Sequence, residues 1–190
     1  MPSRLLTRNS VGLQLASLFQ GQYGSTYTPT GSFESIQTIT VSSSNTVSLT
    51  FSTLPTSYQH LQIKLFSSTA TNGSPFLKFN SDATAGNYYT HTLLGTGSAA
   101  SGTAYNNNYV PYYPGTSTNF GVSIIDILDY NTTSKTKVAR ILGGYDANGS
   151  GVVFLQSLFW NSTNALTSIS LVASDAGFNQ YSVAELYGVK

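Results

Sequence analysis

The chain has 190 residues and a formal net charge of +1, and only 8% of its residues are Asp, Glu, Lys or Arg, against about a quarter in an average soluble domain. This balance gives no electrostatic attraction for nucleic acid or for an anionic membrane, and we expect neither as a partner. The chain contains no Cys, which excludes disulfides and thiolate metal sites within it. Its length suits one domain with a substantial core.

Residues 1–32 predict an N-terminal arm and linker that precede a domain of residues 33–190. The arm has no clean helical or strand period, and its end, "QGQYGSTYTPTGS", has the composition of a linker. Polar residues interrupt its apolar run, so no secretory signal is predicted. Either a short helix packs back on its own domain, or the arm binds a partner. The candidate partner-binding residues are Leu5, Leu6, Val11, Leu13, Leu15, Leu18 and Phe19.

The sequence from Phe33 onward alternates apolar and polar residues in short runs. In "TVSLTF", for example, Val47, Leu49 and Phe51 share one face of a predicted strand. Roughly ten such runs, separated by Gly, Asn, Ser and Pro, predict an antiparallel β-sandwich or barrel rather than βαβ units. No run after Ser32 holds a helical period over three turns. We therefore predict an all-β fold.

The polar segment of residues 95–119 is long for a connection without structure of its own. Such segments are usually functional or stabilised by a partner, and this one has room for an extra hairpin. Its run "YNNNYVPYYPG" carries the candidate recognition residues Tyr105, Tyr109, Tyr112 and Tyr113. Tyr rings and Asn amides suit a sugar, and they equally suit a protein surface. A subunit or partner contact is favoured, because a long loop needs neighbours to order it.

The stretch "YDANGSGVVFLQSLFW" raises the question of a calcium loop. An EF-hand loop needs carboxylates at alternating positions and a Glu at its twelfth position, whereas counting from Asp146 places Ser157 there. The pair Asn148-Gly149 instead tolerates positive φ at both centres of a type I′ turn. We predict a β-hairpin.

The remaining motifs give little support for catalysis. Only His60 and His91 are conventional general bases, and the nucleophile-elbow pattern GxSxG is absent. Asp126 and Asp129 are three residues apart, so in a strand they point to opposite faces, and turn capping is their expected role. The run "LLGTGSAASG" lacks the helix and the acidic residue of a dinucleotide site and predicts a flexible loop. We predict no enzymatic activity, no cofactor and no metal site.

Two C-terminal runs, "DILDYNTTSKTKVARILGGYDANGSG" and "ALTSISLVASDAGFNQYSVAELYGVK", resemble a group of small virion-associated proteins of tailed bacteriophages. The runs "GSFESIQTITV", "YQHLQIKL" and "LKFNSDATAGNYYTHTLLG" are similar to the same group, so the resemblance covers residues 32–190. It implies a jelly-roll-like β-sandwich on a phage particle, often oligomeric and without enzymatic activity. It transfers no functional residue, because the group shares no catalytic motif.

The resemblance and the composition together lead to one leading expectation. It is a non-enzymatic virion structural protein on the particle surface, either a capsid decoration (cement) protein or a fibre-type appendage. Its expected partners are itself, as a homotrimer, and other virion proteins such as major capsid or tail components. The alternative is a receptor-binding module of a tail fibre that recognises host-surface carbohydrate through its Tyr/Asn loop. An enzyme acting on polysaccharide is a third interpretation.

Overall fold

The computed structural model describes residues 32–71, 75–173, 175 and 177–190. The arm and its candidate partner-binding residues lie outside the described residues. The described chain forms twelve strands: β1 (Phe33–Thr40), β2 (Ser48–Ser52), β3 (His60–Ser67), β4 (Phe76–Phe79), β5 (Tyr88–Gly95), β6 (Ala100–Asn107), β7 (Val110–Pro111), β8 (Gly121–Leu128), β9 (Lys137–Asp146), β10 (Gly151–Trp160), β11 (Ser168–Val172) and β12 (Val183–Val189).

The strands form two antiparallel sheets arranged as a sandwich. The larger sheet has eight strands in the order β1-β12-β3-β8-β9-β10-β5-β6, and the smaller has four in the order β2-β11-β4-β7. The described residues contain no helix, and therefore none that is long and apolar enough to span a membrane. The predicted all-β sandwich is confirmed. The finer prediction of a jelly roll is not confirmed, and the sheets differ in size.

The alternating sequence pattern explains how the core forms. In β3 the apolar residues Leu61, Ile63 and Leu65 are buried while the residues between them face outward. Leu49 and Phe51 of β2 are buried as predicted, but Val47 precedes the strand and is 52% exposed. One continuous hydrophobic cluster contains the buried residues of both sheets. The alternation therefore sets which face of each strand is covered.

The stretch that resembled a calcium loop is a tight hairpin between β9 and β10. Asn148 and Gly149 have φ angles of 52° and 98°, as a type I′ turn requires. The Ala147 N–H donates to the Ser150 carbonyl at 2.7 Å. The Asp146 carboxylate accepts the Asn148 N–H at 2.8 Å, so its role here is to cap the turn. The hairpin prediction is confirmed.

The segment of residues 95–119 contains an extra hairpin and a short strand. β5 and β6 pair along their full length, and a tight turn closes them, with the Thr96 N–H donating to the Ala99 carbonyl at 3.0 Å. The prediction of a flexible loop at "LLGTGSAASG" was therefore wrong. The run is two strand ends and a turn, and it escaped notice because Gly and Ala give no alternating pattern. β7 then pairs with β4 in the smaller sheet.

An aromatic cluster joins the two sheets around Asp82. Trp160 of β10 packs edge-on against Phe79 of β4 with a centroid distance of 5.7 Å. Tyr88 of β5 packs against both rings, at centroid distances of 6.3 Å from Phe79 and 6.4 Å from Trp160. The Asp82 carboxylate accepts hydrogen bonds from the Trp160 indole N–H at 2.7 Å, the Asn87 amide at 2.8 Å and the Thr84 N–H at 2.8 Å. Each is charge-assisted.

The hydrogen bonds at Asp82 also determine its protonation. Burial by itself raises the pKa of this carboxyl, but the hydrogen bonds from Asn87, Thr84 and Trp160 outweigh burial and hold its pKa well below the ordinary value of 3.8. Asp82 is therefore ionised in the folded chain at neutral pH. Sequence analysis assigned Asp82 no role, because its Trp160 donor lies 78 positions away.

Candidate tyrosine cavity and apolar sheet face

The smaller sheet leaves one end of the larger sheet uncovered on its inner side. Side chains of β6 are exposed along almost the whole strand, on both faces. Register places Tyr105 of β6 beside Thr90 of β5 and Thr103 beside Thr92, so these four share the inner face. The chain that follows β6 returns over this face through β7. The result is a cavity of about 460 Å³ between the sheet and residues 109–116.

All four candidate recognition tyrosines line this cavity. Tyr105 lies at the rim and is 41% exposed, whereas Tyr112 is 2% exposed and belongs to the hydrophobic core. Tyr109 packs on Phe76 at a centroid distance of 4.8 Å, and Tyr113 packs on Phe154 at 5.1 Å. Tyr145 of β9 also lines the cavity, although sequence analysis did not select it.

The tyrosine segment is ordered by its own domain. The Tyr112 N–H donates to the Pro75 carbonyl at 3.2 Å, and the Gly115 N–H donates to the Ser67 carbonyl at 2.9 Å. The reason given for expecting a partner contact, that a loop of this length needs neighbours, therefore does not apply. The partner contact itself stays a prediction.

Polar side chains form part of the cavity wall. Gln156 of β10 pairs in register with Thr92 of β5, and its amide N–H donates to the Thr92 hydroxyl at 3.0 Å. Gln156 Oε1 and the Tyr112 hydroxyl have no hydrogen-bond partner among the described residues, although both atoms are buried. A buried polar atom without a partner costs about 1–3 kcal/mol. Such groups in a folded protein call for an explanation.

The described lining of the cavity is neutral. Among the residues that the structure describes, no Asp, Glu, Lys, Arg or His lines it. Burial raises the pKa of Tyr113, and the neighbouring phenols of Tyr105 and Tyr145 raise it further. Burial also raises the pKa of Tyr112. The Tyr112 and Tyr113 phenols are therefore neutral donors and acceptors near pH 7, and the described lining of the cavity favours an uncharged ligand.

The outer side of the larger sheet is exposed and largely apolar. In each of β5, β8, β9 and β10 it carries aliphatic residues in cross-strand register, so that Leu93, Leu155, Leu142 and Ile124 form one row. Val153 is 65% exposed and Leu142 is 51% exposed. We call this surface the apolar face; its residues are Leu93, Val122, Ile124, Leu128, Val138, Leu142, Val153 and Leu155.

A polar row crosses the apolar face but carries little net charge. Arg140 of β9 and Asp126 of β8 are paired in register and form an ion pair at 3.4 Å. Gln62 of β3 donates to the other oxygen of Asp126 at 2.7 Å. A groove of about 780 Å³ runs between this row and Leu93, Leu128 and Leu155. Large exposed apolar patches mark interaction sites on soluble proteins.

The two histidines lie on the same outer side of the larger sheet. His60 Nδ1 accepts the Asp129 N–H at 3.0 Å, and Asp129 has a φ of 47°, so this pair closes the turn after β8. His91 pairs in register with Ser157, but the described residues provide no hydrogen bond between them. Within the described ranges, no three His, Asp or Glu side chains lie close enough to hold a metal ion.

Sequence analysis missed the three cavity residues that lie outside the 95–119 segment, and one of them had a usable signal. In "FLQSLFW", Gln156 is in phase with the buried residues Phe154, Leu158 and Trp160. A polar residue at a core position needs a partner or a ligand. Thr92 and Tyr145 carried no such signal, because strand register alone brings them to the cavity.

Comparisons of the chain with family models, with curated proteins and with solved structures found no match.

Proposed function

We propose that this chain is a non-enzymatic structural protein of a tailed-bacteriophage virion, a capsid decoration (cement) protein or a fibre-type appendage. It assembles as a homo-oligomer, a trimer by our expectation, through the apolar face, and its N-terminal arm anchors it to other virion proteins at the particle surface. The observation that carries the proposal is the apolar face itself, eight aliphatic residues on the outer side of a chain with unusually few charges.

The dimensions of the larger sheet suit an occupant that is a second copy of the chain. Eight strands spaced about 4.8 Å apart make a surface roughly 34 Å wide, and strands of eight residues are roughly 27 Å long. The whole outer side of the sheet, of which the apolar face occupies four strands, therefore has an area close to the roughly 800 Å² per partner of a standard protein interface. The ion pair between Arg140 and Asp126 is internal to the face, so two copies meet without net charge repulsion.

The edge strand β6 gives the assembly proposal additional support. Among the described strands, β6 ends the larger sheet and pairs only with β5. Its sequence, "ASGTAYNN", has no charged residue and no Pro. Natural edge strands usually carry such residues to prevent pairing with another chain. An unprotected edge suits a protein that works in contact with copies of itself.

The anchoring role of the arm is tested by deletion. We expect that removing residues 1–30 abolishes attachment to purified particles, because the arm supplies the apolar residues that contact the particle. The β-sandwich of the truncated protein should stay folded. Attachment is measured by co-sedimentation with particles, and tryptophan fluorescence of the truncated protein checks its fold through Trp160, the single Trp of the chain. If the truncated chain decorates particles at wild-type occupancy, the anchoring role is wrong.

A second candidate function is recognition of host-surface carbohydrate by a tail-fibre receptor-binding module. The tyrosine cavity favours it, because aromatic rings and neutral hydrogen-bonding groups line one concave site. A glycan array with the purified protein distinguishes the two functions. The carbohydrate-recognition function predicts binding to the array, and the assembly function alone predicts none.

A further inference from the structure

We infer that the tyrosine cavity is a binding site for a neutral pyranose ring, held against Tyr105 and hydrogen-bonded at Gln156 and Tyr112. This inference deepens the second candidate function by assigning its ligand class and its contact residues. It does not depend on the apolar face, which lies on the opposite side of the larger sheet.

The aromatic part of the site matches the chemistry of a sugar ring. A pyranose has apolar C–H faces and a rim of hydroxyls, so it packs on aromatic rings and exchanges hydrogen bonds at its edge. Tyr105 offers an exposed ring at the rim, while Tyr109 and Tyr113 are held by Phe76 and Phe154. Rings that are already fixed lose little conformational entropy when a ligand binds.

The unpartnered atoms of the wall indicate where the sugar hydroxyls bind. Gln156 is 1% exposed and its amide N–H donates to the Thr92 hydroxyl, while its Oε1 is buried without a partner among the described residues. The Tyr112 hydroxyl is likewise buried without a partner, so a ligand hydroxyl reaches either atom only when that side chain shifts toward the cavity. A ligand hydroxyl that reaches these atoms removes the cost of leaving them unpaired, and a ligand without hydroxyls does not.

The charge of the lining selects among sugars. Because no Asp, Glu, Lys, Arg or His of the described ranges lines the cavity, its described wall offers no counter-charge to an acidic sugar. The cavity volume of about 460 Å³ lies within the usual range of small-molecule sites. We therefore expect neutral hexoses and N-acetylhexosamines to bind in preference to sialic or uronic acids.

The test uses the full chain with methyl glycosides of glucose, galactose and N-acetylglucosamine as probes, together with an array of neutral and acidic oligosaccharides. We expect binding to at least one neutral probe, measured by saturation-transfer NMR. The variant Tyr105→Ala should bind about tenfold more weakly, because the stacking wall is lost, and Gln156→Leu should lose up to about tenfold through one hydrogen bond.

Tyr181→Ala is the matched control, since it removes an exposed tyrosine outside the cavity and should leave binding unchanged. Binding should also be constant between pH 5 and pH 8, because no His, Asp or Glu of the described residues lines the cavity. The inference is overturned if no neutral probe binds, if acidic sugars bind better, or if Tyr105→Ala binds as the wild type does. If sugar binding is absent while the protein is still an oligomer, only the sugar-binding inference is rejected. If the protein binds sugar but is not an oligomer, only the assembly proposal is rejected.

Discussion

The double variant Leu142→Glu/Leu155→Glu should dissociate the oligomer into folded monomers, raising its dissociation constant at least a hundredfold. The two residues are cross-strand neighbours at the centre of the apolar face and are half exposed in the isolated chain. Water solvates carboxylates at these positions in the monomer. In the subunit interface they would be buried without a positively charged partner, which costs several kcal/mol. Sedimentation velocity over a range of protein concentrations measures the shift.

The control for this variant is Val47→Glu, which places one Glu at a valine as exposed as Leu142, 52% against 51%, outside the larger sheet. It should associate as the wild type does. Trp160 fluorescence reports whether each variant is folded. Equal dissociation by both variants, or by neither, would show that the apolar face is not the subunit contact.

The second large effect is expected at Asp82. Asp82→Ala should lower the free energy of unfolding by about 3 kcal/mol, because it removes three charge-assisted hydrogen bonds and leaves the buried Trp160 indole N–H without its partner. Urea denaturation followed by Trp160 fluorescence measures the loss. The matched control is Asp146→Ala, which removes a single exposed turn contact and should cost under about 1 kcal/mol.

The acid sensitivity of the fold provides a second readout at Asp82. Its folded pKa lies below its unfolded value, so its contribution is fully present above the ordinary value of 3.8 and is lost as the pH falls from there toward the folded pKa. Wild type should therefore lose more stability than Asp82→Asn between about pH 4 and pH 2. Parallel acid curves for the two proteins, or equal costs for Asp82→Ala and Asp146→Ala, would contradict the role assigned to this carboxylate.

The elements that could be predicted from the sequence are those governed by local chemistry. Alternation in "HLQIKLF" gave the buried face of β3, and Asn148-Gly149 gave the hairpin between β9 and β10. β6 was open to prediction only as an unspecified extra hairpin, because its Gly, Ala and Asn residues have no apolar period. Patterns of this kind carry information only where one face is buried.

The site residues that escaped sequence analysis depend on long-range register. Gln156 and Thr92 are 64 positions apart and meet only because β5 pairs with β10. Lys137 is another example. It reads as a surface charge at the start of a strand, yet it is buried, and its ammonium donates to the carbonyls of Thr132, Lys135 and Thr163. Only the folded loops bring those carbonyls together.

The apolar face was visible in the sequence but could not be distinguished from a core. The apolar face contains residues that are common in any strand, such as Leu128, Val138 and Leu142. When both sides of a strand are apolar, the sequence alone does not show which side is buried and which is exposed. In β9 the inward residues Ala139 and Ile141 are buried and their outward neighbours Val138 and Leu142 are half exposed. The two-sheet arrangement decides which set stays at the surface.

The most direct measurement of the central claim is a cryo-electron microscopy reconstruction of the phage particle that we propose carries this protein. We expect the chain to be present as a symmetric oligomer in which the apolar face is buried between copies and residues 1–30 contact a neighbouring virion protein. Absence of the chain from purified particles, or single copies whose apolar face is open to solvent, would contradict the account.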